Sequence, residues 1–398
     1  EQLIERADSG NTSVRIASAR LTQARAFVRA TDAARMPQID ASAGAARGRG
    51  LVNGVPVQGT QSLFTAGADL SYEVDLFGRL RQASDAARLD AQASEGLLQS
   101  ARLLVQADVA QTYLALRALD RERALVRGTV VAYRETLALT ERRWRAGDAA
   151  ELDVARARTE VAATESDAIA LDRQRAELEH ALAVLVGEPA STFTLEAGEW
   201  TTLLPAIPAG VPSTVLTRRP DVSAAQNSLL AAQTRVGVAK AAWFPSVALT
   251  ASGGYASTDL SDLFKWSSRA WGLGVLGSLP IFDGGRRKAG IESAGAEFDI
   301  AVARYREQVL VAFKDVEDQL AALRLLDEQA EAQERAVTSA TRSTTLSEVR
   351  YRNGYVSQLD LLDAQRSELR NRRQALQVRS AQYQSTVALV RALGGAWN

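Results

Sequence analysis

The residues of this chain best placed to do chemistry are carboxylates and guanidinium groups that recur at two equivalent places. In Leu359-Asp360-Leu361-Leu362-Asp363 the Asp-x-x-Asp spacing sets both carboxylates on one helical face, a turn apart. Like charges held that close repel, raise one another's pKa and attract cations. They follow the run Arg350-Tyr351-Arg352-Asn353-Gly354. An earlier run, Arg143-Trp144-Arg145-Ala146-Gly147, leads to Leu152-Asp153 in the same way, so Arg, aromatic, Arg, Gly, Leu and Asp fall at matching positions. Other chemistry is excluded by composition. With no Cys, one Met and one His, the chain has no thiol nucleophile, no disulfide and no Cys/His zinc site. The single histidine, His180, sits among Leu178, Leu182 and Val184 in a helical pattern and reads as an ordinary interhelical residue. Gly284-Gly285 is too short for a phosphate-cradling loop. With no nucleophile–base pair, phosphate loop or metal cluster, neither an enzyme nor a cofactor is expected. One Met also argues against a methionine-lined copper path. The 47 basic and 47 acidic residues cancel, which argues against a nucleic-acid partner.

The elements that carry these residues are long helices. All nine prolines fall at 37, 56, 189, 205, 208, 212, 220, 245 and 280, so residues 57–188 and 281–398 contain none. Proline breaks a helix interior, and both stretches are rich in strong helix formers. Stepping by seven from Leu98 gives Val105, Thr112, Leu119, Val126, Tyr133 and Thr140. The companion series Val109, Leu116, Val130, Leu137 and Trp144 is broken only at Arg123. A third series runs from Val302 through Val309, Val316, Leu323, Ala330, Val337 and Thr344 to Tyr351. Heptads sustained this far predict coiled-coil packing. A helix from about Arg79 to Arg145 would be roughly 100 Å long at ~1.5 Å per residue. Gly147 and Gly354 suit the left-handed residue that closes a helix. Asp148 with Glu151, and Ser357 with Asp360, read as N-cap and third-residue partners opening the return helix. Capping alone does not call for the recurring Arg, aromatic and Leu-Asp residues.

Ahead of each hairpin the period changes to two. Ala66, Ala68, Leu70, Tyr72, Val74 and Leu76 are apolar, while Gly67, Asp69, Ser71, Glu73 and Asp75 between them are small or acidic. Ser246 to Tyr255 and Trp271 to Ile281 alternate likewise, and Gln38 to Arg47 is a weaker member. About ten residues of this alternation suit a tilted strand crossing an outer membrane, with Phe77, Trp243, Phe244, Trp271 and Phe282 as an interfacial girdle. Four strands cannot close a barrel around a lumen, which takes about eight, so several chains are expected to share one. No apolar run reaches the ~20 residues of a transmembrane helix. The opening Glu1-Gln2-Leu3-Ile4 reads as the inside of a helix, as after processing or trimming. Met36-Pro37-Gln38-Ile39 lines up with Phe244-Pro245-Ser246-Val247, and Phe77-Gly78-Arg79 with Phe282-Asp283-Gly284-Gly285-Arg286, so the whole unit is duplicated.

Several segments together resemble the TolC-type outer-membrane efflux proteins, and more closely their OprM/NodT branch. They are Arg218-Arg219-Pro220-Asp221-Val222, Val238-Ala239-Lys240-Ala241-Ala242-Trp243-Phe244-Pro245-Ser246, Leu279-Pro280-Ile281-Phe282-Asp283-Gly284-Gly285-Arg286, Leu359-Asp360-Leu361-Leu362-Asp363-Ala364-Gln365-Arg366 and Ala392-Leu393-Gly394-Gly395-Ala396-Trp397. The resemblance runs over essentially the whole chain.

It implies a mainly α fold with a membrane β-barrel portion, built as two structural repeats, each a strand pair plus a long antiparallel helical hairpin. A homotrimer would give four strands per chain to a twelve-stranded barrel continuous with a periplasmic α-helical tunnel. The implied boundaries are a first helix at 1–36, strands at 37–77 and a hairpin at 78–188 with its tip near 145–150. An equatorial linker at 189–220 then leads to a helix at 221–244, strands at 245–282 and a second hairpin at 283–398 with its tip near 352–357 and a C-terminal equatorial segment. The implied function is the outer-membrane channel of a tripartite pump of the resistance–nodulation–division (RND) type in a Gram-negative bacterium. It would pass drugs or other small molecules from an inner-membrane RND transporter and a periplasmic adaptor (membrane fusion) protein to the exterior, with outer-membrane lipid around the barrel.

Asp360, Asp363, Tyr351 and Asp153 are the implied periplasmic gate, with a site of cation block at the first two. The tips, with Arg143, Trp144, Gly147, Leu152, Arg350, Gly354, Ser357 and Leu359, are expected to dock the adaptor. Some members carry an arginine two residues past the second tip glycine that ties the gate to the region of Asp153; Val356 stands there, which puts that latch in doubt. Many members of the branch carry a lipidated N-terminal Cys, and a lipid anchor is left open here. The rival readings are a type I protein-secretion duct on the same fold and a periplasmic adaptor-like coiled-coil protein. The Arg-Arg-Pro-Asp-Val segment argues against the first, and two hairpins with membrane-type strands argue against the second.

Overall fold

The computed structural model describes residues 1–52, 55–198, 200 and 218–395. The chain forms two compact units, each assembled from separate segments. One comprises Glu1–Ser18, Leu98–Pro220 and Val309–Asn398; the other comprises Ala19–Leu97 and Asp221–Gln308. The elements are α1 (Gln2–Gly10), α2 (Thr12–Ala33), β1 (Gln38–Val52), β2 (Val55–Val74), α3 (Arg79–Arg145), α4 (Glu151–Val186), α5 (Pro220–Ala241), β3 (Ser246–Ser257), β4 (Arg269–Ser278), α6 (Arg286–Arg352) and α7 (Gln358–Ala392). Both α3 and α6 are 67 residues long.

In the first unit the helices pack along the heptad seam of α3. Leu98, Val105, Leu119, Val126, Tyr133 and Thr140 are buried, as are Val109, Leu116 and Val130 of the companion series. Leu119 and Val126 meet Leu171 of α4 and Leu369 of α7. The series on α6 fares differently. Only Ala312, Val316, Thr344 and Tyr351 are buried there, and Val302 is exposed. Val316 packs with Leu389, Ala392 and Leu393 at the end of α7; within one chain little else covers the stripe.

The break in the α3 series, Arg123, marks an ion network. The Asp120 side chain is 5% exposed and pairs with Arg117 at 3.3 Å, Arg123 at 3.2 Å and Arg175 of α4 at 2.9 Å. Arg123 also reaches Asp172, and Arg175 reaches Glu179. The same groups hold the chain leaving α4: Arg117 donates to the Glu196 carbonyl, Arg175 to the Leu195 carbonyl, and Glu179 accepts from the Leu195 N–H. Beyond them the Trp200 ring tilts against Tyr383 of α7 at 4.8 Å. The rest of the expected equatorial linker, Glu199 and residues 201–217, lies outside the described residues, as do Ala396 and Trp397 of the closing motif. At its far end Arg219 donates to Asp315 of α6 and to the Ala392 carbonyl of α7.

The stretch expected as one helix over 1–36 is two. Asn11 interrupts it: its side-chain oxygen accepts from the Ser13 and Val14 N–H groups and caps α2, while its amide donates to the Leu185 carbonyl of α4. Beside it Gly10 and Gly187 bring two backbones together. A Cβ at Gly187 would lie 2.3 Å from the Gly10 carbonyl oxygen, and Gly187 takes a left-handed φ of 79° as it ends α4.

The second unit contains one antiparallel sheet of order β1-β2-β3-β4. The register aligns the apolar positions. Ile39 faces Leu70, Leu70 faces Ala251 and Ala251 faces Leu273; likewise Tyr72 faces Leu249 and Leu249 faces Val275. Directly paired residues share a face, so the sheet has one apolar face across all four strands. The opposite face carries Asp40, Asp69, Ser71, Thr250 and Ser252. The apolar face is bare in the single chain, with Trp271 80% and Leu273 79% exposed. Several strand limits differ from the alternation, two of them by a wide margin or for a plain reason. The sheet pairing of β2 begins at Val55, well before Ala66, and β4 ends at Ser278 rather than Ile281, because Pro280 has no N–H for the ladder.

Asp120→Ala leaves three guanidinium groups beside an empty site, which costs about 3 kcal/mol when a buried ion pair loses one partner. The midpoint of thermal unfolding of the purified protein is expected to fall by several degrees, and Asp120→Glu is expected to restore part of it.

Candidate functional site

The two repeated turns are built alike. At the first, the Gly147 N–H donates to the Trp144 carbonyl at 3.0 Å and the Asp148 N–H to the Arg143 carbonyl at 2.8 Å. At the second, Gly354 donates to Tyr351 at 3.0 Å and Tyr355 to Arg350 at 2.8 Å. Gly147 and Gly354 have φ of 83° and 76°, a left-handed conformation that costs a side-chain-bearing residue about 1 kcal/mol or more. Both lie in open space, so backbone conformation alone requires glycine there.

The return helices start differently. Ser357 caps α7 in a full capping box: the Asp360 N–H donates to its hydroxyl at 3.2 Å, and the Ser357 N–H donates to the Asp360 carboxylate at 3.1 Å. Asp148 and Glu151 form no such pair. The N-cap of α4 is Ala150, which has no side-chain acceptor and stands where Ser357 stands in the second turn; Asp148 lies two residues earlier, its N–H closing the turn on Arg143.

Arg143 joins the turns. Its guanidinium lies over the Tyr351 ring at 4.6 Å and donates to the Tyr351 and Arg352 carbonyls at 3.2 and 3.1 Å. It thereby stacks on an aromatic face and supplies donors to the carbonyls at the end of α6. Beneath it Thr140, fully buried, shares a hydrogen bond of 3.2 Å with the Tyr351 hydroxyl. The sequence reading missed Thr140 as a site residue; a hydroxyl in an otherwise apolar heptad position was its signal. Arg350, the counterpart of Arg143, is exposed.

The other candidates do not converge on this contact. Asp153, in the first turn of α4, pairs with Arg156 at 3.8 Å. Asp363 is exposed and pairs with Arg366 at 3.3 Å, while Arg366 also binds Glu160 of α4. Asp360 is exposed. In the single chain its carboxyl is held below the usual carboxylate range, first by the Ser357 hydroxyl and then by the Ser357 N–H, opposite in direction to the rise that like-charge repulsion would cause. Trp144, Leu152, Leu359 and Tyr355 present apolar surface to solvent around the turns. His180 lies on an exposed face of α4 rather than between helices. Among the described residues no group of acidic or histidine side chains could hold a metal ion, and no helix is long and apolar enough to cross a membrane.

Two predictions follow from this geometry. Arg143→Lys keeps the charge but loses the planar fork, at an expected cost of about 1 kcal/mol. In a double-mutant cycle with Tyr351→Leu the two losses are expected to be less than additive. The second concerns acid. Because the folded pKa of Asp360 is depressed, its capping contribution is present above the unfolded value of about 3.9 and is lost as pH falls through the folded value. Amide exchange at Ser357 and Asp360 should therefore quicken only below about pH 4, and Ser357→Ala should remove that step.

Against known proteins, a family model described as outer membrane efflux protein matches residues 3–188 and 211–395. The toluene efflux pump outer membrane protein TtgI of Pseudomonas putida strain DOT-T1E is 34% identical over 401 aligned residues, covering 100% of this chain and 85% of that protein. The cation efflux system protein CusC of Escherichia coli O6:H1 is 32% identical over 400 aligned residues, covering 99% and 85%. Among solved structures, the outer-membrane channel OprN superposes with a TM-score of 0.93 at 32% identity, covering 100% of this chain and 90% of that one.

Proposed function

The chain belongs to the outer membrane efflux protein family, and from that premise we propose that it is the outer-membrane channel of a tripartite pump of the RND type. It is an outer-membrane efflux protein. The observation that carries this reading is the sheet: a continuous apolar face on four strands whose outer edges, β1 and β4, have no strand partner among the described residues. A water-facing protein has no use for that face. Open strand edges do not occur in lipid, and four strands do not close by themselves. Three copies pairing β4 to β1 would satisfy both, with the apolar face toward lipid and the face of Asp40, Asp69 and Thr250 toward the lumen. The sparsely covered stripe of α6 supports the same assembly, with the helices lining a periplasmic tunnel.

In this reading the turns around Gly147 and Gly354, with exposed Leu152 and Leu359, dock the periplasmic adaptor, and an inner-membrane transporter delivers cargo. The channel conducts passively and catalyses nothing. Asp360 and Asp363 ring the entrance, with Tyr351 and Asp153 as its other members. Asp363 is paired with Arg366 at 3.3 Å, whereas Asp360 faces no cationic partner among the described residues, so Asp360 is the stronger cation site. Cargo is set elsewhere in the pump: relatives named for toluene and for cations resemble this chain about equally.

A charge on the lipid face costs about 2–4 kcal/mol near the bilayer midplane, whereas a lumen-facing charge does not. Val275→Arg is therefore expected to abolish outer-membrane insertion, while Thr250→Arg should insert and change conductance; equal tolerance of both would refute the barrel. In planar bilayers, Asp360→Asn with Asp363→Asn should weaken cation selectivity and polyvalent-cation block. Unchanged currents would remove these residues from the gate.

A further inference from the structure

The Arg143 contact is made by one repeated turn and received by the other, and the chain carries a second, unused set of both halves. Every component has a counterpart of the right chemistry. Arg143 corresponds to Arg350, the Tyr351 ring to Trp144, and the Thr140 hydroxyl to that of Ser347. The carbonyls of Tyr351 and Arg352 correspond to those of Trp144 and Arg145, at the end of a turn with the same backbone bonds. In the single chain these counterparts are apart. Arg350 is exposed, Trp144 is 43% exposed, and Leu346 and Val349 beside Arg350 form an exposed apolar border.

We propose that the missing partner is a second copy of this chain, and that Arg350 of one protomer closes on Trp144 of its neighbour as Arg143 closes on Tyr351 within the chain. The guanidinium lies over the indole and donates to the Trp144 and Arg145 carbonyls, which lack the cap that Arg143 gives α6. The indole N–H donates to the Ser347 hydroxyl, replacing the Thr140–Tyr351 hydrogen bond. Two donors facing each other would fail here; a donor-only indole opposite a hydroxyl does not. Leu346 and Val349 are covered in the same step. Intrachain and interchain contacts then alternate around a closed ring, and each receiving site at the end of α3 is incomplete without the neighbour.

The inference rests on the trimeric assembly proposed above, and its test separates the two. The chain contains no Cys, so introduced pairs react without background. The full chain is purified in detergent without adaptor, sized by light scattering and treated with a short bismaleimide. Trp144→Cys with Ser347→Cys should give covalent trimers on a denaturing gel, whereas either substitution alone should not. Thr140→Cys with Tyr351→Cys should link only within the chain and shows that the reagent spans such a contact. In parallel, Arg350→Ala should lower the temperature of trimer dissociation by several degrees, and adding Trp144→Ala should lower it little further. A trimer whose Trp144/Ser347 pair gives no interchain product overturns the inference and leaves the assembly standing. Equal product from a single-Cys variant also overturns it. A monomer by light scattering overturns both.

Discussion

A helix of 67 residues holds its shape in water only while something covers one stripe along its length, since propensity alone does not supply the stability. That constraint organises this chain. On α3 the stripe is covered from within: Leu119 and Val126 lie against α4 and α7, and Asp120 draws Arg117, Arg123 and Arg175 together where the apolar series lapses. On α6 the cover is sparse, with four buried residues in the whole helix. Two helices of equal length are thus left unequal in a single chain, and the difference is a stripe of α6 that the chain itself leaves uncovered. Arg219, reaching from Asp315 to the end of α7, shows how the chain anchors what it can of α6 by itself.

The sheet poses the same demand in other terms. Its register is set by side-chain size as well as by hydrogen bonds: a Cβ at Gly254 would lie 2.4 Å from the Ala66 carbonyl oxygen, so β2 and β3 pass where a larger residue could not sit. A slip of one residue would turn Leu70, Leu249 and Leu273 to the face of Asp69 and Ser252. The apolar face is therefore specified residue by residue, although nothing in one chain covers it.

Much of this could be read from the residues. The α3 heptads mark buried positions because the chain itself supplies their partners, and Ser357 with Asp360 forms the capping box that their spacing implies. Where the reading failed, the cause was non-local. Asn11 ends a helix because its amide finds the Leu185 carbonyl, far away in sequence. Asp148 does not cap α4 because it belongs to the turn that closes on Arg143, and the helix starts two residues later with Ala150 as its N-cap. Arg123 is visible as a gap in a pattern, but the carboxylates that fill the gap come partly from another helix. Of the candidate site, residue types and the glycine turns were legible, whereas the meeting of Arg143, Thr140 and Tyr351 was not, because two repeats must fold before those atoms approach.

The order of strands has a kinetic consequence. The pairs β1–β2 and β3–β4 are joined by short links, but β2 pairs with β3, and Val74 with Val247, across the whole of α3, α4 and α5. Bringing distant segments together carries a loop-closure cost that local pairings avoid, so such contacts form late. The helical hairpin between them shortens that loop when it folds first. Each β-hairpin can form early, but the full-width apolar face appears only after the intervening helices have condensed. The chain's topology thus acts as a timer: it withholds the aggregation-prone surface until the water-compatible part is in place.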